Sequence, residues 1–456
     1  MANSYLARTV SSGGNQKTWT LSVWLKRSAL TDSMIFSYQD PGSTGRSDIS
    51  FASNKLYVSW NPTGSSWFYA KSSPTRLFRD TNAWYHLVVA CDTTQATNTN
   101  RLKIYINGEQ VGSDTQDTYP TQDSVTGFNA NGFVHEIGRY AHDGSSSYYD
   151  GYMSHFAWVD GQALAPTVFG QTDSTSGIWK FKSPSGVTWG TNGFHLKFEN
   201  SGNLGLDSSG QTNNYTSGGN LKQALDTPSN IYATLNVLNV PTSNAPTFEN
   251  GATASTTSSS GSGKFGGSST LGMTSGKWYC EARAKIPGTS RSVFALSGAV
   301  SLVARNNNTF LSDTDNSIGW YSADGTVAYN NSNQYTASTY ANDDILMIAV
   351  DMDNLKVYLG KNGTWQNSGV PTSGSTGTGA ITIAAASSCH DGAYFFCFSD
   401  DTSTSAVAKF EYNFGNGFFG TTAITSAGSN GNGSLFEYDV PSGYYALNTK
   451  NLNTYG

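Results

Sequence analysis

Two ten-residue stretches constrain the fold most: Arg101–Gln110 (RLKIYINGEQ) and Asn354–Gly363 (NLKVYLGKNG). Apolar residues fall on every second position, Leu102, Ile104 and Ile106 in the first, Leu355, Val357 and Leu359 in the second. The residues between them (Arg101, Lys103, Tyr105; Lys356, Tyr358) face water or a second layer. This is the period of a strand with one face on a core. Each stretch runs into Asn-Gly (Asn107-Gly108, Asn362-Gly363), the strongest short-range signal for a tight hairpin. The copies lie about 250 residues apart, which predicts two separate β domains, each centred on one such hairpin. The expected fold class is all-β, two tandem antiparallel β-sandwiches.

Composition fits turn-rich β structure. Of 456 residues only 13% are charged, against roughly 25% in an ordinary soluble domain, while aromatics reach 13%. The net charge of -6 contains no basic run, so nucleic acid is not an expected partner. The N-terminal MANSYLARTVSSGG has no apolar h-region, so no secretory signal is expected. The longest apolar runs, such as Ile345 to Val350, are too short to span a bilayer, so no membrane insertion is expected either. Cys91, Cys280, Cys389 and Cys397 form no C-x-x-C pair, and three of them sit inside expected strands, which favours reduced core thiols. An extracellular-looking composition without an export signal fits a virion protein made in the host cytoplasm and released by lysis.

Further strands are expected at Trp19–Arg27 (Trp19, Leu21, Val23, Leu25 inward; Thr20, Ser22, Trp24, Lys26 outward), Lys55–Trp60, Trp84–Cys91 and Gly151–Val159. Gly161 to Gly170 leaves the sheet, with a turn of helix expected before Pro166. In FHLKFE, Phe194, Leu196 and Phe198 face in and His195, Lys197 and Glu199 face out. In GKWYCEARAKI, Trp278, Cys280, Ala282, Ala284 and Ile286 share one face, and Tyr279, Glu281, Arg283 and Lys285 the other.

The succession WTLSVWLKRS, AWYHLVVACD, RLKIYINGEQV and a Gly-Tyr strand ending in Asp160-Gly161-Gln162-Ala163-Leu164 resembles a laminin-G-like jelly roll of the concanavalin A-like superfamily, over residues 1–170. Later, GKWYCEARAKI, SIGWYSADGTVAYNN, NDDILMIAVDMDNLKVYLGKNGTW and AYFFCFSDD…KFEYNFGNG resemble, in order, a SPRY (B30.2-like) domain over 246–427. Residues 171–245 are then a connector with partial strand content, and 428–456 a C-terminal segment packing back on the fold. TWGTNGFHLKFENSGNLGLDSSGQTNNYT and FEYDVPSGYYALNTKNL resemble the segments that follow these two domains in phage structural proteins. The resemblance as a whole is to a bacteriophage virion structural protein. It implies a tail fibre or other receptor-binding component. No heptad stalk, collagen-like repeat or baseplate anchor precedes the first domain, which keeps a capsid decoration, vertex or head-fibre protein open as the alternative. The implied partners are other virion proteins, a host cell-surface glycan and further copies of the chain in a homo-oligomer.

Catalysis is not expected. Glucanases of this superfamily pair two carboxylates on one strand, and no E-x-D-x-E run occurs. Asp351/Asp353 and Asp313/Asp315 suit turns, and Glu437/Asp439 lies in the tail, so a glycan-degrading enzyme is the minor alternative. No cofactor is expected. Asp351-Met352-Asp353-Asn354 begins like a calcium loop but lacks its central Gly and closing Glu. A structural calcium at the sandwich rim is the one metal the resemblance admits, with Asp143, Asp150 and Asp160 in candidate positions. His86, His135, His155 and His195 are read as surface or interlayer residues.

Ligand binding is expected from loops, where aromatic faces stack on sugar C–H surfaces and Asn, Asp and Ser bond hydroxyls. The first candidates are Trp60, Trp67 and Tyr69, with Phe68, around NPTGSSW. Next come Tyr140, Tyr148 and Tyr149, beside Asp150, around AHDGSSSYYDG. In the second domain they are Asn307, Asn331 and Tyr335.

Overall fold

The computed structural model describes residues 3–40, 45–61, 68–71, 76–112, 118–260, 264–285, 291–305, 311, 314–400 and 406–456. It divides between Gln223 and Ala224 into two units. Both are antiparallel β-sandwiches.

The strands of the first unit are β1 (Tyr5–Thr9), β2 (Thr18–Arg27), β3 (Ser33–Gln39), β4 (Arg46–Ala52), β5 (Lys55–Asn61), β6 (Phe68–Lys71), β7 (Tyr85–Asp92), β8 (Leu102–Ile106), β9 (Glu109–Gln110), β10 (Val134–Ile137), β11 (Gly151–Asp160), β12 (Gly170–Thr172), β13 (Trp179–Phe181), β14 (Phe194–Leu196) and β15 (Thr216–Gly218). They build a seven-stranded sheet, β15-β1-β10-β3-β4-β5-β6, a six-stranded sheet, β14-β11-β2-β7-β8-β9, and the β12–β13 pair. Alternate residues meet between the two large sheets: Trp19, Leu21, Val23 and Leu25 from β2, Ile49 and Phe51 from β4, Val58 and Trp60 from β5. Each fully buried side chain of this kind contributes about 1.5–3 kcal/mol. Trp19 stacks on Trp158 at 4.8 Å between ring centroids.

The polar alternates of β2 do not reach water. Residues 161–190 fold across the outer face of the six-stranded sheet, where Thr20 donates to the Gln162 carbonyl and Trp179 donates its indole N–H to His86 Nδ1. Thr20, Ser22 and His86 are therefore buried, and His195 is covered by Trp189; Lys26 is buried with its ammonium over the Tyr152 ring. A short 3-10 turn does form in this stretch, but it starts at Pro166, the first-turn position where the missing N–H costs nothing. The stretch 171–223 is not a separate connector, since β14 extends one large sheet and β15 the other.

The second unit contains β16 (Thr247–Glu249), β17 (Ala254–Thr256), β18 (Lys264–Ser268), β19 (Lys277–Lys285), β20 (Ser292–Ser297), α1 (Val300–Arg305), β21 (Ser317–Tyr321), β22 (Thr326–Tyr329), β23 (Ser332–Thr336), β24 (Ile345–Asp351), β25 (Lys356–Lys361), β26 (Thr364–Trp365), β27 (Ile381–Thr382), β28 (Phe395–Asp400), β29 (Lys409–Asn413), β30 (Phe418–Phe419), β31 (Thr422–Ala423), β32 (Tyr445–Ala446) and α2 (Thr449–Tyr455). One sheet runs β16-β17-β29-β19-β24-β25-β26, with β27 on β25 and β32 parallel to β19; the other runs β18-β28-β20-β21-β22-β23. Trp278, Cys280, Ala282 and Ala284 face the core between them. The opposite face of β19 is also buried, contrary to its polar pattern, because the C-terminal segment lies on it: Phe436, Val440, Tyr444 and Ala446 pack on Tyr279, Met347, Ala349 and Tyr358.

Both Asn-Gly hairpins form, with positive φ at Asn107, Gly108, Asn362 and Gly363 as the tight turn requires. They do not centre their sheets. Each turn leads into a two-residue strand, β9 or β26, at a sheet edge. Leu355 is not a strand residue; it sits at φ 56 in the preceding turn. All four cysteines are buried and unpaired.

Candidate functional site

The outer face of the seven-stranded sheet collects the polar alternates of strands whose apolar alternates fill the core. Register places Ala7, Glu136, Ser37, Asp48, Ser59 and Tyr69 in one row across β1, β10, β3, β4, β5 and β6. Asp48 is the chemical centre of this row. It accepts the Ser59 hydroxyl at 2.7 Å and the Ser50 hydroxyl at 3.0 Å. Burial pushes its carboxyl above the ordinary range, opposed by the two hydroxyls and the charge of Arg46.

Residues 139–148 fold over one side of this face. Ser37 donates to the Arg139 carbonyl and accepts the Ala141 N–H, and the Ser147 carbonyl accepts the Met34 N–H. This anchoring brings Tyr140 within electrostatic range of both Arg46 and Asp48; its hydroxyl is pushed up chiefly by burial, with Arg46 opposing. Arg139 makes a two-pronged ion pair with Glu136, donates to the Gly144 carbonyl at 2.8 Å, and lies 3.3 Å from the Tyr5 ring centroid. The bond to Glu136 holds its guanidinium above the usual range, with the neighbouring Tyr148 hydroxyl adding to it. The result is an acidic acceptor, Asp48, with Arg46 and the half-buried Tyr140 beside it, and an Arg139–Glu136 pair with Tyr148 further along the same face.

Of the candidates named from sequence, Tyr140 and Tyr148 join this face, and Tyr69 pairs with Ser59 in the row. Trp60 does not: it is 2% exposed, in the core beside Trp19, because it shares the inward face of β5 with Leu56 and Val58. Tyr149 is structural as well, its ring against the core and its hydroxyl donating to the Lys26 carbonyl at 3.1 Å. Trp67 and Asn307 lie outside the described residues. In the second unit, Asn331 is exposed in the β22–β23 turn, and Tyr335 on β23 packs its ring on the core.

The calcium candidates are not brought together. Asp150 and Asp160 flank opposite ends of the ten-residue β11, roughly 30 Å apart at a strand's rise. Asp143 caps its own turn through the Ser145 and Ser146 N–H groups, and Asp150 accepts the Ser28 hydroxyl. Asp160 accepts the N–H groups of Asn15 and Asn192 and the Asn129 amide, so N–H donors occupy the lone pairs a cation would need. Among the described residues no group of three or more His, Cys, Asp or Glu side chains is placed to hold a metal ion. Asp351 and Asp353 serve turns: the first accepts the Asn354 N–H and pairs with Lys277, the second accepts the Gly276 N–H.

Two other places carry less. Ser301, His390 and Asp391 meet in the second unit, but His390 uses the same nitrogen, Nδ1, toward both partners, so it cannot pass a proton from one to the other. Asp391 instead accepts the Ser301 N–H at the start of α1. A groove of about 410 Å³ at 197–208 is lined mainly by polar loop residues. Among the described residues no helix is long and apolar enough to cross a membrane.

Sequence reasoning missed Arg46, Asp48, Ser50 and Ser59: in RSDISFA only Asp48–Phe51 alternates polar and apolar, after three polar residues in a row. Its charged positions look like a solvated edge until the neighbouring strands are placed.

A laminin G family model described as "Concanavalin A-like lectin/glucanases superfamily" matches residues 2–168. No curated protein matches the chain. Similar solved structures include a heptameric SAP-like pentraxin from Limulus polyphemus (18% identity, 36% of this chain and 72% of that one, TM-score 0.27). The human HERC1 SPRY domain is similar at 18% identity over 37% of this chain and 91% of that one, TM-score 0.27. A putative carbohydrate binding protein from Bacteroides ovatus is similar at 17% identity over 48% of this chain and 56% of that one, TM-score 0.28.

Proposed function

We propose that this is a non-catalytic binding protein whose first sandwich recognises a cell-surface glycan on the outer face of its seven-stranded sheet. The observation that carries the reading is Asp48, held by Ser50 and Ser59 and flanked by Arg46 and Tyr140 on one face. A carboxylate so fixed accepts sugar hydroxyls, arginine N–H groups supply donors, and tyrosine rings offer surfaces for C–H contact. The order of motifs resembles phage virion structural proteins, so the reading places the chain on a particle surface, in several copies. Weak single sites then add through effective concentration.

One observation favours a second reading, glycan hydrolysis: Asp48 is raised, and Glu136 lies two strands away in the same row, roughly 10 Å across. What speaks against it is Arg139, which occupies both carboxylate oxygens of Glu136.

The test is binding of labelled full-length protein to host cells, with free oligosaccharides as competitors and their reducing ends assayed. Binding competed by sugar without new reducing ends supports the reading. Sugar cleavage replaces it with hydrolysis, and binding that no sugar competes removes it.

A further inference from the structure

Glycine after asparagine suits tight turns, and it also leaves the asparagine side chain open to attack by the next peptide nitrogen, because no Cβ shields that nitrogen. The attack needs freedom at three places: the asparagine amide, the following N–H, and the peptide plane between them. The fold grants this freedom very unequally to the Asn-Gly pairs of the chain.

Most pairs are held. Asn107 and Asn362 accept the N–H groups of His86 and Ile345 through Oδ1 at 2.8 Å. Asn192 is buried, with its amide bonded to Arg8 and to the Ser12 carbonyl. At Asn416, Oδ1 accepts the Phe418 N–H, and the Gly417 N–H donates to Asn413. The Asn250 carbonyl accepts both the N–H and the hydroxyl of Thr253, which fixes the peptide plane. Asn131 is exposed, but the Gly132 N–H donates to the Val10 carbonyl at 2.8 Å. Asn430 donates its amide to the Val440 carbonyl at 3.0 Å, and Gly431 lies against the Ser434 carbonyl.

Asn432-Gly433 differs. Both residues are exposed. Among the described residues nothing donates to Asn432 Oδ1 and nothing accepts the Gly433 N–H; the side chain's one bond runs from Nδ2 to the Asn430 carbonyl, inside the same turn. Beyond its chain neighbours, no atom lies within 4 Å of where a Gly433 Cβ would stand.

We propose that Asn432 is the chain's foremost site of spontaneous deamidation. The Gly433 nitrogen gives its proton to solvent base and attacks Asn432 Cγ. The new C–N bond closes a succinimide while the Cγ–Nδ2 bond breaks and ammonia leaves. Water then opens the ring at either carbonyl, which leaves aspartate or isoaspartate at 432 and adds a negative charge. Isoaspartate lengthens the main chain inside the turn that the Ser434 N–H closes onto the Gly431 carbonyl at 2.9 Å. The altered turn stands just before Glu437 and Tyr438, whose N–H groups Glu281 accepts.

The test is mass spectrometry of peptides from the full-length protein, taken at intervals during storage in mildly alkaline buffer. Asn432 is expected to convert at least about fivefold ahead of any other Asn-Gly, since the others must first give up a hydrogen bond of ordinary strength. Asn432→Gln, which closes only a less favoured six-membered ring, removes this first product and leaves the rest unchanged. In denaturant the pairs are expected to convert at similar rates. Earlier conversion at Asn131 or any other pair overturns the proposal, as does an equal lead for Asn432 in denaturant, which assigns it to sequence instead of fold. The wild-type peptide map decides even if Asn432→Gln fails to fold.

Discussion

The carboxylate of Glu281 on β19 accepts the backbone N–H of Tyr438, 157 residues further along the chain, at 2.9 Å. It also accepts the Glu437 N–H, the Tyr279 hydroxyl and the Asn413 amide, which ties the C-terminal segment onto the outer face of the nine-stranded sheet. Burial outweighs these four donors and lifts the carboxyl to about 7.

That shift fixes the sign of a pH dependence. The folded-state value lies above the unfolded one near 4.5, so the folded protein holds the proton longer as pH rises. The contribution is fully present below about 4.5 and is lost as pH passes 7, on the order of 3 kcal/mol. Glu281→Gln removes this component. The check is urea unfolding at pH 5 and pH 8, where the wild type loses more stability than the variant between the two values; equal losses contradict the assignment.

Histidines of the first unit work in the opposite direction. Burial lowers His86 to about 3 and His155 and His195 to about 4. A base depressed in the folded state contributes stability above its unfolded value near 6.5, lost as pH falls below it, about 2 kcal/mol per histidine by pH 5. His86 is the sharpest case, because its Nδ1 accepts the Trp179 N–H and a proton there meets another donor. Hydrogen exchange in residues 161–190 speeds up at pH 5 relative to the rest of the unit, after correction for intrinsic rates.

Gly108 has φ 84, and a Cβ there meets the Trp179 ring at 2.6 Å. Gly363 has φ 82, with its nearest neighbour, Tyr438, at 3.0 Å. Gly108→Ala therefore costs about 2–4 kcal/mol, from backbone strain plus overpacking, and Gly363→Ala about 1 kcal/mol, mainly from strain with a small shift of the Tyr438 ring. Calorimetry of the two variants gives the order, and a reversed order contradicts the packing of Trp179.

Asp160 joins three segments through the Asn15, Asn192 and Asn129 N–H groups. Asp160→Ala strands these donors and costs roughly 3–5 kcal/mol, while a calcium chelator leaves the unfolding midpoint unchanged. A chelator-sensitive midpoint restores Asp160 as a metal ligand.

Local periodicity carried much of the fold. Trp19–Leu25, Leu102–Ile106 and Trp278–Ala284 declare their core faces, and both Asn-Gly turns adopt the geometry their residues demand. What alternation cannot report is a second layer. Thr20, Tyr279 and Glu281 look solvated, yet are covered by segments distant in sequence. The candidate face was half legible: the Tyr140–Tyr148 loop stands out by its aromatics, but Asp48 gains meaning only when register sets Ser59 and Ser37 beside it.

The most direct test of the central claim compares Asp48→Asn, Tyr140→Ala and Asn331→Ala in sugar-competed binding to host cells, with unfolding midpoints measured alongside. Asp48→Asn and Tyr140→Ala are expected to weaken binding at least about tenfold, since a hydrogen bond to a charged group or a stacked ring is worth about 1.5 kcal/mol or more, while Asn331→Ala leaves it unchanged. Full binding by folded Asp48→Asn and Tyr140→Ala, with loss in Asn331→Ala, contradicts the account and moves recognition to the second sandwich.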